Sequence, residues 1–259
     1  MLQGIDHLVI VVKDLQQAAD DYRQLGFNVV PGGRHPVGSH NALISFADGS
    51  YLEIIAFYRE AIDHRWWEPL QKDQRLVDYC MRTDDLSGDT QKFHNAGVAI
   101  NDPVPWSRTR PDGFELKWIL SLATGSHRGV APFLIQDVTL RQERIPQQFE
   151  HDNDAIGIDT VTIAVDELSQ IDRWYNAVLG KKGEPIVRRE LGAEGLRFPV
   201  GCQNIEFLMP LDPSSPLINW MRTYGPSPYA ATLKSSSSAP EIFDPRLLHG
   251  ADLRLEGSK

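Results

Sequence analysis

From Ile5 to Val12 the chain is apolar on both alternating faces, interrupted only by Asp6 and His7. A strand covered on both sides has this pattern, and a histidine near its start needs a polar partner inside the fold. The apolar period then changes. Leu15, Ala18, Ala19, Tyr22 and Leu25 recur as one face of a helix. Asp14 and Gln17 precede it at capping-box spacing and Gly26 follows as a C′ glycine. A short strand over Phe27–Val30 comes next, then a loop of glycines and prolines from Pro31 to Gly38. Asn41–Phe46 and Ser50–Phe57 read as a hairpin closed at Asp48-Gly49. The unit is strand, helix, three strands.

This grammar returns, and it is the strongest structural signal in the chain. Leu76–Arg82 reads as a strand. A helix then opens at Asp85-Leu86 and closes at Gly97, the interval that separates Leu15 from Gly26. Val98–Ile100, a hairpin around Pro111-Asp112-Gly113 and a strand Ala131–Gln136 complete the second copy. A third opens at Ile158–Val165, with Leu168, Ile171, Trp174, Tyr175 and Val178 on one helix face before Gly180, and with strands near Pro185–Arg189, Gly195–Val200 and Asn204–Met209. A fourth is short: strands Tyr229–Lys234 and Ala251–Leu255 flank the loop Ser235–Pro240. His7, Asp78 and Thr160 each precede the first helical leucine of their module by the same interval, and Glu53 and Glu206 follow theirs at equal distance. The expected fold class is α+β: tandem βαβββ modules forming half-open mixed-sheet barrels with helices outside. The expected domains are 1–140 (modules 4–57 and 76–137) and 157–259 (module 158–210 and a truncated module 229–255), with a polar linker near 141–156.

Composition narrows the partners. A chain of 259 residues with a net charge of −9 shows no basic face for a phosphate backbone, so nucleic acid is excluded. No apolar run is long enough to span a bilayer and no basic n-region opens the chain, so no membrane partner and a cytoplasmic location are expected. Two distant cysteines, Cys80 and Cys202, fit a reducing compartment and no disulfide framework. A homodimer is a further expectation.

His7 and Glu53 both interrupt apolar strands. Burying either alone is costly. A shared divalent ion offsets that cost, and so does a direct hydrogen bond between them. Arg108 and Arg110 are two apart, so on a strand they share a face. Turned inward they would hold an anion bidentately; turned outward they would be solvated. His35, His40 and Asn41 flank the glycine-rich loop, which suits either a ligand cover or an ordinary surface loop. Trp118, with Trp106, Trp66 and Trp67, suits an aromatic wall or plain core packing. Cys80 reads as a buried inert thiol.

The repeated modules, with His7, Val12 and Asp14-Leu15 opening the first and Tyr51-Leu52-Glu53 in its closing strand, resemble the vicinal oxygen chelate superfamily. That group includes glyoxalase I, extradiol dioxygenases and bleomycin-resistance proteins. Gly32-Gly33-Arg34-His35-Pro36 with Asn41, Ser107–Gly113 and Pro132–Gln136 are similar to its glyoxalase-like domain branch. The resemblance implies paired modules around a divalent metal of unspecified identity, held by first- and fourth-strand residues. Here these are His7, Glu53, Asp78 and Gln136, with Asp78 in place of the usual His or Gln and Gln136 in place of Glu. It implies a lyase, isomerase or dioxygenase-type reaction on a small oxygen-rich molecule, with Glu53 as the catalytic carboxylate. His35, Asn41, Arg108, Arg110 and Trp118 are the expected substrate contacts. The alternative is a metal-free binding protein of the bleomycin-resistance type. Thr160 stands where the third module would carry its histidine, so any ligand is expected in the first half.

Overall fold

A computed structural model describes residues 1–238 and 242–257. Ala239 and Pro240 of the serine-rich loop, and residues 258 and 259 of the second expected domain, lie outside the described residues. The elements run β1 (Leu2–Val11), α1 (Leu15–Gln24), β2 (Val30–Arg34), β3 (Ser39–Ser45), β4 (Tyr51–Phe57), α2 (Trp67–Lys72) and β5 (Arg75–Thr83). Then follow α3 (Leu86–Asn95), β6 (Val104–Thr109), β7 (Glu115–Ser121), β8 (Phe133–Asp137) and α4 (Arg141–Arg144). The remainder is β9 (Ala155–Ala164), α5 (Ser169–Leu179), β10 (Glu184–Arg188), β11 (Ala193–Val200), β12 (Gln203–Pro210), α6 (Pro216–Tyr224), β13 (Ser227–Ser235) and β14 (Asp252–Gly257). Asp14 caps α1 through the amides of Gln16 and Gln17, and Asp85 caps α3 through that of Gly88.

The modules show in strand order and register. The first eight strands close into a barrel, β1-β4-β3-β2-β6-β7-β8-β5, and the rest form a six-stranded sheet, β10-β11-β12-β9-β13-β14. β1 pairs parallel with β4, His7 opposite Tyr51 and Val9 opposite Glu53. β9 pairs parallel with β12 in the same register, Thr160 opposite Asn204 and Thr162 opposite Glu206. β13 pairs parallel with β14 as β5 does with β8, but no counterparts of β6 and β7 are described to join β14 to β10, so the second sheet stays open.

The stretch expected as a loop from Pro31 to Gly38 begins as a strand instead. β2 pairs with β3 across a bulge between Pro31 and Gly33, and meets β6 at Arg34 and Thr109. Its glycines permit that closure. A Cβ at Gly33, whose φ is +146°, would lie 2.1 Å from the Thr109 carbonyl oxygen. Val98–Ile100 makes only an isolated bridge, Ile100 to Ala123, in place of the expected strand.

Two apolar layers result. The barrel interior holds Val9, Val11, Ile55, Leu116, Trp118 and Phe133. A larger core outside it joins the helices to both sheets. At that junction the buried hydroxyls of Tyr79 and Tyr175 are 2.7 Å apart. No described helix is long and apolar enough to cross a membrane.

Candidate functional site in the first barrel

Strand parity turns His7, Tyr51, Glu53 and Ile55 toward the barrel interior, where a cavity of about 50 Å³ opens. A bulge on β1 between Ile5 and His7 breaks that parity, and the consecutive residues Asp6 and His7 are both buried, 0% and 4% exposed. His7 Nδ1 lies 2.8 Å from Asp6 Oδ1. Its ring stacks on Tyr51 at 4.5 Å and meets the edge of Phe133 at 5.3 Å.

Asp6 is held in turn by arginines. Arg144 Nη1 donates to Asp6 Oδ1 and Nη2 to Oδ2, each at 3.0 Å, and Arg141 donates to Oδ2. Arg144 also donates to the Tyr51 hydroxyl at 2.7 Å and to both oxygens of Asp137. Burial by itself pushes Asp6 up, yet Arg144 and then Arg141 hold its carboxyl well below the usual carboxylate range. An ionised Asp6 accepts the Nδ1 proton of His7, which turns the other ring nitrogen, Nε2, toward Glu53.

His7 Nε2 is 3.5 Å from Glu53 Oε2. The other Glu53 oxygen accepts from Asn41 Nδ2 at 2.5 Å. Asn41 Oδ1 accepts from Arg108 Nη1 at 3.3 Å, and Arg108 Nη2 donates to the Arg144 carbonyl at 3.0 Å. Gly32 makes room for this line: a Cβ there would lie 2.1 Å from Asn41 Oδ1 and 2.9 Å from Arg108 Nη1. Arg108 is buried without an ion-pair partner among the described residues, and its Nε has no hydrogen-bond partner. His35 lines the cavity, with Nδ1 3.0 Å from the Ser39 hydroxyl and its ring edge-on to Trp118. Burial pushes His35, and likewise His64 at the cavity mouth, down to about 4.

Of the expected residues, the fold brings together His7, Glu53, His35, Asn41, Arg108 and Trp118. It does not bring in Asp78, Gln136 or Arg110. Asp78 Oδ1 accepts from the Tyr79 amide and Oδ2 from Trp66 Nε1 at 2.9 Å, with Arg65 Nη2 2.7 Å away. Gln136 Oε1 accepts from the Leu86 amide at the start of α3. Arg110 lies beyond the end of β6, so strand parity does not carry it inward; it pairs at the surface with Asp112 and Glu143. Cys80 is buried beside His7 and Asp6, but burial pushes its thiol well up and Asp6 is already engaged by arginines. Of the four ligands that the resemblance implies, the first barrel brings two together, His7 and Glu53, with His7 Nε2 and Glu53 Oε2 facing each other. Those residues do not make that metal shell.

Sequence reasoning missed Asp6 as the partner of His7, and with it Arg144. The signal was present: a carboxylate beside a histidine in an apolar strand needs a cation. That cation, Arg144, comes from the expected linker near 141–156.

The comparisons agree with this architecture. A search of curated proteins finds no sequence match. Among solved structures, a hypothetical protein from Staphylococcus aureus superposes over 100% of both chains with a TM-score of 0.70 at 17% identity. A triple mutant of 4-hydroxymandelate synthase from Streptomyces coelicolor aligns with 92% of this chain and 72% of its own, at a TM-score of 0.66 and 14% identity. At these identities the likeness is one of fold. Residues 5–179, more than half of the chain, match the family model described as a glyoxalase-like domain; with its paired βαβββ modules, the chain belongs to that family within the vicinal oxygen chelate superfamily.

Proposed function

We propose that the first barrel is the active site of a lyase or isomerase that moves a proton on a small, oxygen-rich anion. One observation carries this. His7 Nε2 and Glu53 Oε2 face each other at 3.5 Å, each with its companion atom already engaged, in a cavity that also holds the unpaired guanidinium of Arg108. A separation of 3.5 Å is long for a hydrogen bond, so a substrate group seated beside the pair can bond to both atoms. A hydroxyl or an acidic C–H is such a group.

Glu53 then serves as general base, and its proton returns to the neighbouring substrate atom. Arg108 binds the carboxylate and steadies the negative charge that develops. His7, oriented by Asp6, holds the second oxygen of the substrate in place. Trp118, Trp106 and Phe133 wall the cavity and exclude water. A water needs roughly 10–15 Å³ of such space, so about 50 Å³ admits only a few heavy atoms. No step runs through a metal, because Asp78 and Gln136 are engaged elsewhere.

The test is proton exchange. The protein is incubated in D2O with a panel of small 2-oxo and 2-hydroxy acids, and loss of the substrate C–H signal is followed by NMR. Exchange with at least one acid is expected, with Glu53→Gln abolishing it and Arg108→Met raising KM. Saturable binding of a panel acid without exchange, unchanged in Glu53→Gln, would favour the sequestering protein instead. Neither exchange nor binding would refute the site.

A further inference from the structure

We infer that the cleft between the two sheets is a second binding site, for a small acceptor-rich anion bearing a carboxylate or phosphate. It measures about 550 Å³ and lies between the α2–β5 segment and the loop before β8 on one side, and the start of α5 and the α6–β13 turn on the other. This volume is within the range of small-molecule sites.

Its walls hold donors without acceptors. Arg75 is 5% exposed. Its Nη1 donates to the carbonyls of Pro69 at 2.7 Å and Asp73 at 3.3 Å, and its guanidinium lies 4.3 Å from the Tyr224 ring centre. Its Nε has no partner, and among the described residues no carboxylate stands at ion-pair distance; Asp73 and Glu68 act on it only through space. Trp174, 3% exposed on the opposite wall, has a buried indole Nε1 with no acceptor. Buried donors are nearly always paired, and a buried cation without a counterion is costlier still. The acidic side chains of the cleft do not settle this. Glu68 pairs with Lys72 and Arg128, Glu167 accepts from Ser169 and Gln170, and Asp166 stands across the cleft at the β9–α5 junction. Arg75 and Trp174 both line the cleft, and an anion drawn into it supplies the acceptors that they lack.

Inorganic phosphate, pyrophosphate and citrate are each titrated into the full chain by calorimetry, which separates a phosphate site from a carboxylate site. At least one is expected to bind saturably at one site. Arg75→Lys and Trp174→Phe should each weaken it about tenfold, the size of a lost charge-assisted hydrogen bond. Arg108→Lys, in the first barrel, should leave it unchanged. If Arg75→Lys fails to fold by circular dichroism, Trp174→Phe decides alone. The inference is overturned if none of the three probes binds, if binding survives both cleft substitutions, or if only Arg108→Lys removes it, which would place the anion in the first barrel.

Discussion

Replacing Arg144 by methionine tests the framework that positions His7. The substitution keeps most of the apolar stem and removes a guanidinium that makes five side-chain hydrogen bonds. Asp6 keeps Arg141 and His7, while Asp137 keeps only a longer pairing with Arg141 at 3.6 Å. Breaking one side of a buried ion network typically costs about 3–5 kcal/mol, a large share of the roughly 5–15 kcal/mol of a folded protein. At roughly 2–4 °C per kcal/mol for chains of this size, Tm should fall by about 6–20 °C. The loss should also depend on pH. Asp6 is held below its unfolded value, so the stability it contributes is present above about pH 4 and lost as pH falls through the folded value. Urea denaturation of both proteins from pH 7 to pH 3 should therefore show a wide gap at neutral pH that narrows in acid, as Asp6 takes up its proton in the folded variant while it stays ionised in the folded wild type. Groups titrating alike in both proteins cancel. A gap under about 1 kcal/mol at pH 7, or one that does not narrow in acid, would refute the assignment of Arg144 as the counterion that holds Asp6 ionised.

Three further outcomes follow from the geometry. Gly32→Ala should weaken binding of any first-barrel ligand more than it lowers Tm, because its Cβ displaces the Asn41 amide and the Arg108 tip; equal affinity by calorimetry would contradict this. His35 and His64 are pushed down to about 4 by burial, so the unfolded chain takes up protons first and stability should fall as pH drops from about 6.5 toward 4. His35→Gln should flatten that slope, and a wild-type urea midpoint constant across the window would count against it. Dialysis against EDTA should leave Tm unchanged, since Asp78 and Gln136 are engaged away from His7 and Glu53; a drop restored by zinc or manganese would overturn that reading.

Periodicity predicts the repeated modules and the helix starts at Asp14 and Asp85, and the cost of burying His7 and Glu53 in apolar strands predicts that they face one cavity. The first two depend on local spacing: a strand's period of two, a helix's 3.6, and one module copied into the next. What spacing cannot show is the identity of partners brought from afar. Asp78 and Gln136 sit at ligand-like registers, but Arg65, Trp66 and the start of α3 reached them first. Arg110 shares parity with Arg108 only on paper, because β6 ends at Thr109. Asp6 turns inward through a bulge, and its counterion arrives from more than a hundred residues away. Closure of the first barrel rests on Gly32 and Gly33 admitting Asn41, Arg108 and the Thr109 carbonyl, a steric fact of packed strands. Tertiary structure decided which polar groups remain free, and those free groups define the site.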